Sequence, residues 1–340
     1  MCCLVIVGIT TALNASVRTI GLLFLISAIR GFGQGLLEVL LNVWIVEMWE
    51  QDCGPYIQGI HFMASISAIT APLMMEPYLN NVSKLYIPFT IIGIFIVISG
   101  LYLGSLYFYK KYTPRVINKD NKENQSVIKI LLINFKVELM PTKPIFIYII
   151  LCSLLLTLTL GLLSSQQNYL STFAQSCGLH LTDTYADYLT TGLSVAQAVS
   201  RLIAIPLSKY ISPQIIIICG LTLVLISNIL LWIFSNYSLT VMWVANILYG
   251  FGIGPFYASC YHLIEQITPV TATMGVFLSL MMGIIQIIIP CVLGVLMESN
   301  PFSLIYLNLI LLFFSFIVIL LIFILNRNFI AIHTNQSKPT

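Results

Sequence analysis

Arg30, Gln34, Glu38 and Asn42 stand four positions apart, three times in succession, inside an apolar run that opens at Ile20. On a helix, four residues advance about 400°, so each step drifts by only about 40°. The four side chains therefore form one slowly winding stripe about 18 Å long. Charge facing hydrocarbon is costly, so the stripe belongs against a protein interior or an aqueous cavity. Two chemistries fit. The stripe lines a path, with Glu38 as a proton- or cation-coupling carboxylate, or Arg30 and Glu38 form a buried structural pair bridged by Gln34.

Other polar residues stand out against the apolar background. Gln166, Gln167 and Asn168 form the densest amide cluster and are read at the outer end of their segment. Amides donate and accept together, which suits sugar hydroxyls; the alternative is a helix end reaching interfacial water. Tyr257 and Tyr261 offer rings for stacking and hydroxyls for a ligand, or simply pack. His61, one turn past Gln58, is a gate or proton relay, or else a helix–helix hydrogen bond. Arg201 fits a gate or interface better than a solute contact. Neither H-E-x-x-H nor G-x-x-x-x-G-K-[ST] occurs, so a zinc protease or ATP-driven pump has no motif. No enzyme activity and no cofactor is expected, with Na+ or H+ as the ion for a coupling carboxylate. The eight cysteines show no C-x-x-C spacing and read as small core residues, with Cys2 and Cys3 as candidates for palmitoylation.

The elements that carry these residues are membrane spans. Of 340 residues, 59% are hydrophobic and 8% charged, with mean hydropathy +0.97. A soluble domain is about a quarter charged, so the chain reads as an all-α polytopic membrane protein in contact with the lipid bilayer. Ten apolar segments are expected, at roughly 2–13, 20–45, 57–78, 87–109, 145–167, 187–208, 214–234, 241–265, 272–297 and 303–325. They give a four-segment half (1–109), a basic linker (110–143), a six-segment half (144–325) and a tail (326–340).

The linker holds eight of the fifteen Lys and Arg against three acids. Placing it in the cytoplasm puts twelve basic residues inside and two, Arg18 and Lys84, outside. That excess needs no nucleic-acid partner. Within the linker, "SVIKILLINFKVEL" is too short to span and reads as a surface helix or a tether. The first segment is short for a bilayer, and without a basic leader it reads as a span cut by the start of the chain.

"GFGIG" (250–254) nearly repeats "GFGQG" (31–35) at an offset of 219. The same offset carries positions 30, 38 and 42 onto Tyr249, Tyr257 and Tyr261, and Gln34 onto Ile253. Such a pattern marks two parallel halves related by an axis along the membrane normal. GFGQG lies inside a span with no preceding strand, so it is no nucleotide loop.

Four spans, a basic linker, six spans and matched glycine-rich helices resemble the major facilitator superfamily without its first two helices. The second, fifth and eighth segments then correspond to its fourth, seventh and tenth helices, three of the four that line a central cavity. A narrower likeness lies in "NVWIVEMWEQDCGPYIQGIHFMASISAITAPL" (42–73). There Asn42, Trp49, Pro55, Gln58, His61–Phe62 and Pro72–Leu73 resemble the sodium-dependent glucose transporter branch, with Glu38 at its acidic position. "SRLIAIPLSKYISP" (200–213) resembles the branch's G-R-L segment, with Ser200 in place of Gly. The branch's glutamate in the seventh helix has no counterpart in "LGLLSSQQNYLSTFA" (160–174), although Gln166–Gln167 resembles the paired glutamines of sugar porters.

The resemblance implies a two-fold helical bundle that moves a small polar solute by alternating access. The solute class is a hexose such as glucose, the coupling ion a cation, and the location the plasma membrane. It also leaves an alternative: a truncated carrier that binds a ligand or partner without transporting.

Overall fold

Long apolar runs form helices, and the breaks between them fall at polar or proline-bearing turns. The computed structural model describes residues 2–49, 52–79, 84, 86–109, 143–268 and 270–336. The helices are α1 (Cys2–Asn14), α2 (Ile20–Trp49), α3 (Gly54–Leu79), α4 (Tyr86–Tyr109), α5 (Lys143–Ser176), α6 (Asp183–Leu207), α7 (Pro213–Phe234), α8 (Leu239–Ile253), α9 (Phe256–Glu265), α10 (Ala272–Ser299) and α11 (Ser303–Gln336). Each of the ten expected segments coincides with a helix, except that the eighth is split into α8 and α9 at Gly254–Pro255. Seven of the columns among the described residues are long and apolar enough to cross a membrane. The expected surface helix of the linker lies outside the described residues.

Three larger departures from expectation each have a local reason. Helix α5 runs to Ser176, nine residues past the expected end, because "QNYLSTFAQS" contains neither Gly nor Pro. The amide cluster is therefore inside the helix and not at its outer end. Helix α11 continues to Gln336 through a polar but breaker-free stretch, so the expected tail begins as helix. The split in the eighth segment follows from Pro255, which has no N–H to continue the ladder.

The chain alternates direction, giving a lower end where α2 passes to α3 and α9 to α10, and an upper end where α5 passes to α6. In the N-terminal group, α1 packs on α2 and α4; in the C-terminal group, α5 packs on α10 and α11, and α8 on α6 and α7. Close crossings fall at glycine pairs. A Cβ on Gly8 would stand 2.7 Å from Gly93 O, and one on Gly220 would stand 2.5 Å from Gly252 O. The offset of 219 also matches Gly33, which faces Val7 of α1, with Gly252, which faces α7. Each packs on the helix that precedes its own. The halves meet where α3 lies along α6 and α9, and where α2 meets α10.

Candidate functional site

Glu38 lies on α2, on the face turned to α9. The Tyr257 hydroxyl of α9 donates to its Oε1 at 2.9 Å. One turn below, Asn42 Nδ2 donates to the Glu38 backbone carbonyl at 2.9 Å and reaches the Tyr257 hydroxyl at 3.4 Å. The Tyr257 ring stacks on Tyr261 with centroids 5.2 Å apart, and His61 of α3 lies 4.3 Å away on its other flank, tilted by 58°. Thus α2, α3 and α9 bring four predicted residues around Tyr257: Glu38, Asn42, His61 and Tyr261. Asn42 and Tyr261 are buried. Asn42 Oδ1, His61 Nε2 and the Tyr261 hydroxyl are buried polar atoms without a partner.

Arg201 sits beside this cluster. Helix α6 buries one face at three- and four-residue steps, through Leu189, Leu193, Gln197, Ser200, Arg201 and Ala204. Arg201 Nε donates to Gly254 O and Nη1 to His61 O, both at 2.8 Å, and Nη1 also contacts the Ser65 hydroxyl. It is 7% exposed. These carbonyl and hydroxyl oxygens take the place of the water that burial removed, and they tie α6 to α3 across the seam. The hydrogen bonds that cross between the halves lie level with Glu38 or below it. Above it, Gln34 is exposed and Arg30 half-buried, and neither has a hydrogen-bond or ionic partner among the described residues. The expected Arg30–Glu38 pair does not form; Glu38 turns across the seam to Tyr257 instead.

The amide cluster divides in two. Gln166 is fully buried. Its Nε2 donates to Asn246 Oδ1 and its Oε1 accepts from Asn308 Nδ2, each at 3.0 Å, while Ser165 donates to Asn308 Oδ1 at 2.5 Å. This network knits α5, α8 and α11 inside the C-terminal group, so Gln166 does not reach a solute path in this structure. Gln167 turns another way and donates to Gln197 Oε1 of α6 at 3.2 Å, leaving Gln197 Nε2 without a partner. Asn168 is exposed.

Two apolar grooves mark the outer surface. The larger, about 580 Å³, lies between α6 and α8 and includes Tyr188, Gly192, Val195 and Trp243. None of its lining residues bonds across the polar seam.

Sequence reasoning passed over Gln58 as a working residue, and also Asn246, Asn308 and Gln197. Each is a lone amide in an apolar run, which is the one signal that could have found it.

Residues 165–333 match the family described as the Major Facilitator Superfamily. The sodium-dependent glucose transporter 1 of Xenopus laevis is 22% identical over 311 residues, covering 82% of this chain. The chain spans 58% of that relative's length. A crystal structure of the E. coli fucose:proton symporter FucP superposes with a TM-score of 0.70 at 15% identity, covering 94% of this chain and 83% of that one. A bacterial homologue of the iron transporter ferroportin, in an outward-facing state, superposes with a TM-score of 0.67 at 15% identity, covering 94% and 80%. At such identities the solved structures speak for the fold alone. The C-terminal half of the chain thus matches the Major Facilitator Superfamily, and the helical course of the whole chain is shared with solved transporters.

Proposed function

We propose that this chain serves as a secondary carrier of a small polar solute of the hexose class, working by alternating access, with Glu38 as the residue that binds the coupling cation. The observation that carries this is the Tyr257–Glu38 hydrogen bond across the seam. It sets an ionisable group between two half-bundles, with bonded contacts below and partnerless polar side chains above. Protonating Glu38, or binding Na+ there, changes what it offers Tyr257, so ion binding and the seam are coupled. Gln167 and Gln197 supply amides on the facing half for solute hydroxyls. With the linker in the cytoplasm the lower end is cytoplasmic, and the arrangement is closed inward. Family and fold are those of transporters, and a relative named as a glucose transporter supports the solute class. The plasma membrane is the location that goes with this role.

A second reading is a membrane protein that binds a ligand without moving it. It is favoured by the bare upper face of α2: a Cβ on Gly250 would meet Leu193 O of α6 at 2.5 Å, whereas its counterpart Gly31 meets nothing within 4 Å. Reconstituted vesicles separate the two. Accumulation of labelled hexose under an imposed Na+ or H+ gradient establishes the carrier; saturable binding with no uptake establishes the second reading.

A further inference from the structure

Pro255 has no N–H, so the carbonyl of Phe251, one turn earlier, loses its helical donor. The Ser200 hydroxyl of α6 replaces it, donating to Phe251 O at 2.5 Å. The adjacent Arg201 donates to Gly254 O at 2.8 Å. Pro255 O keeps its helical bond from Ser259 N at 3.1 Å, yet accepts a second donor, Gln58 Nε2 of α3, at 3.0 Å. The same amide lies 3.4 Å from the Ser259 hydroxyl.

These donors differ in where they come from. Ser200 and Arg201 belong to the same half as the break and hold the carbonyls that Pro255 disturbs. Gln58 belongs to the opposite half, is 1% exposed, and sits on a carbonyl that is already satisfied. Parting the halves therefore strands no backbone carbonyl at the break. What is given up is the cross-seam bonds of Gln58, those of Arg201 to His61 and Ser65, and those of Tyr257 to Glu38 and Asn42.

We propose that Gln58 is a latch: its amide grips the Gly254–Pro255 break from the other half, holds the lower end closed, and releases when that end opens. The proposal rests on the alternating-access reading above. The chain carries its own reporter. Cys53, between α2 and α3, is fully buried, and burial together with the nearby Glu265 carboxylate pushes its thiol up to about 12. It is unreactive while the lower end is shut and gains thiolate and access when water enters.

The test uses the full chain in vesicles, with Cys2, Cys3, Cys219 and Cys291 changed to Ser and a membrane-impermeant maleimide offered from the lower side. Gln58→Leu and Gln58→Met, which both remove the donor, are expected to speed labelling of Cys53 by about threefold to tenfold, the worth of one such hydrogen bond. Ser200→Ala removes a bond within one half. It is expected to lower the melting temperature without speeding the label. Wild-type labelling rates in a Gln58 variant that melts as the parent does would overturn the latch, as would equal acceleration in Ser200→Ala. Labelling requires no solute. Faster labelling in a protein that takes up no hexose supports the latch and removes only the hexose reading.

Discussion

Glu38 and Tyr257 are hydrogen-bonded at 2.9 Å and stand 219 residues apart, the offset that superposes the two glycine-rich segments. Under two-fold symmetry a residue touches its own counterpart only near the axis. The bond therefore places both on the pseudo-axis between the halves, where the membrane-normal symmetry of such folds puts the ligand path. The counterparts have diverged into an acid and a phenol, an acceptor and a donor, so symmetry at the backbone becomes complementarity at the side chain.

Glu38→Gln keeps an oxygen for the Tyr257 hydroxyl and removes the charge. It is expected to abolish solute accumulation against a gradient while leaving exchange between equal pools within about twofold of the parent, since the seam bond survives. Tracer uptake and counterflow in the same vesicles measure the two. Undiminished accumulation would assign Glu38 to structure.

Cysteines along α2 read the cavity by depth. In the arrangement described, Cys at 30 and 34 should react with small aqueous thiol reagents from the upper side and Cys at 38 more slowly. Cys at 42 should stay silent, because Asn42 is 2% exposed. Native Cys177 adds no background: burial raises its thiol above the ordinary range, so less thiolate is present at neutral pH. Equal reaction at 30 and 42 would contradict the closed lower end.

Gln166 and Gln167 should part company. Gln166→Ala leaves the Asn246 and Asn308 amides with buried unmet groups, at about 1–3 kcal/mol each. A clear drop in melting temperature is expected with little change in apparent solute affinity. Gln167→Ala should do the reverse, raising the KM for uptake at near-parental stability. The opposite pattern would return Gln166 to the solute site.

Arg201→Met should destabilise the fold as well. It leaves Gly254 O buried without the donor it now has, costing about 1–3 kcal/mol, whereas His61 O keeps the Ser65 hydroxyl. Arg201→Lys offers one compact ammonium where a fork reaches both, so it should recover only part of the loss. Thermal unfolding in detergent checks both variants.

Glycan mapping tests the orientation. Asn236 begins an outer sequon, but its Oδ1 accepts from Gly178 N at 2.8 Å and Ser238 caps α8, so it should stay unmodified in the folded protein. Sugar attached at Asn124 or Asn335 would put the linker outside and invert the topology.

What the sequence displayed was periodicity and what it hid was partnership. Apolar runs and loop charges were enough to find ten columns, and the GFGQG/GFGIG echo was enough to equate 38 with 257. Nothing in either segment says that these two residues touch, because touching depends on how two halves are laid together. The Gln166–Asn168 cluster shows the same limit. Three adjacent amides on a helix point about 100° apart, so one entered the core, one met α6 and one faced out, although in sequence they read as one site. Pro255 was visible from the start, but its effect was not, since a proline can also be absorbed inside a helix, as Pro206 and Pro290 are here.

The Ser200–Phe251 bond has an evolutionary consequence. The likeness to the glucose-transporter branch puts glycine where this chain has Ser200, and a glycine offers no hydroxyl to a carbonyl orphaned by proline. Ser200 and Pro255, 55 positions apart, thus act as a pair: the hydroxyl of one satisfies the carbonyl that the other leaves without its helical donor. Among relatives, a proline at the place of Pro255 should travel with a hydroxyl or amide at the place of Ser200, and glycine there with an unbroken helix.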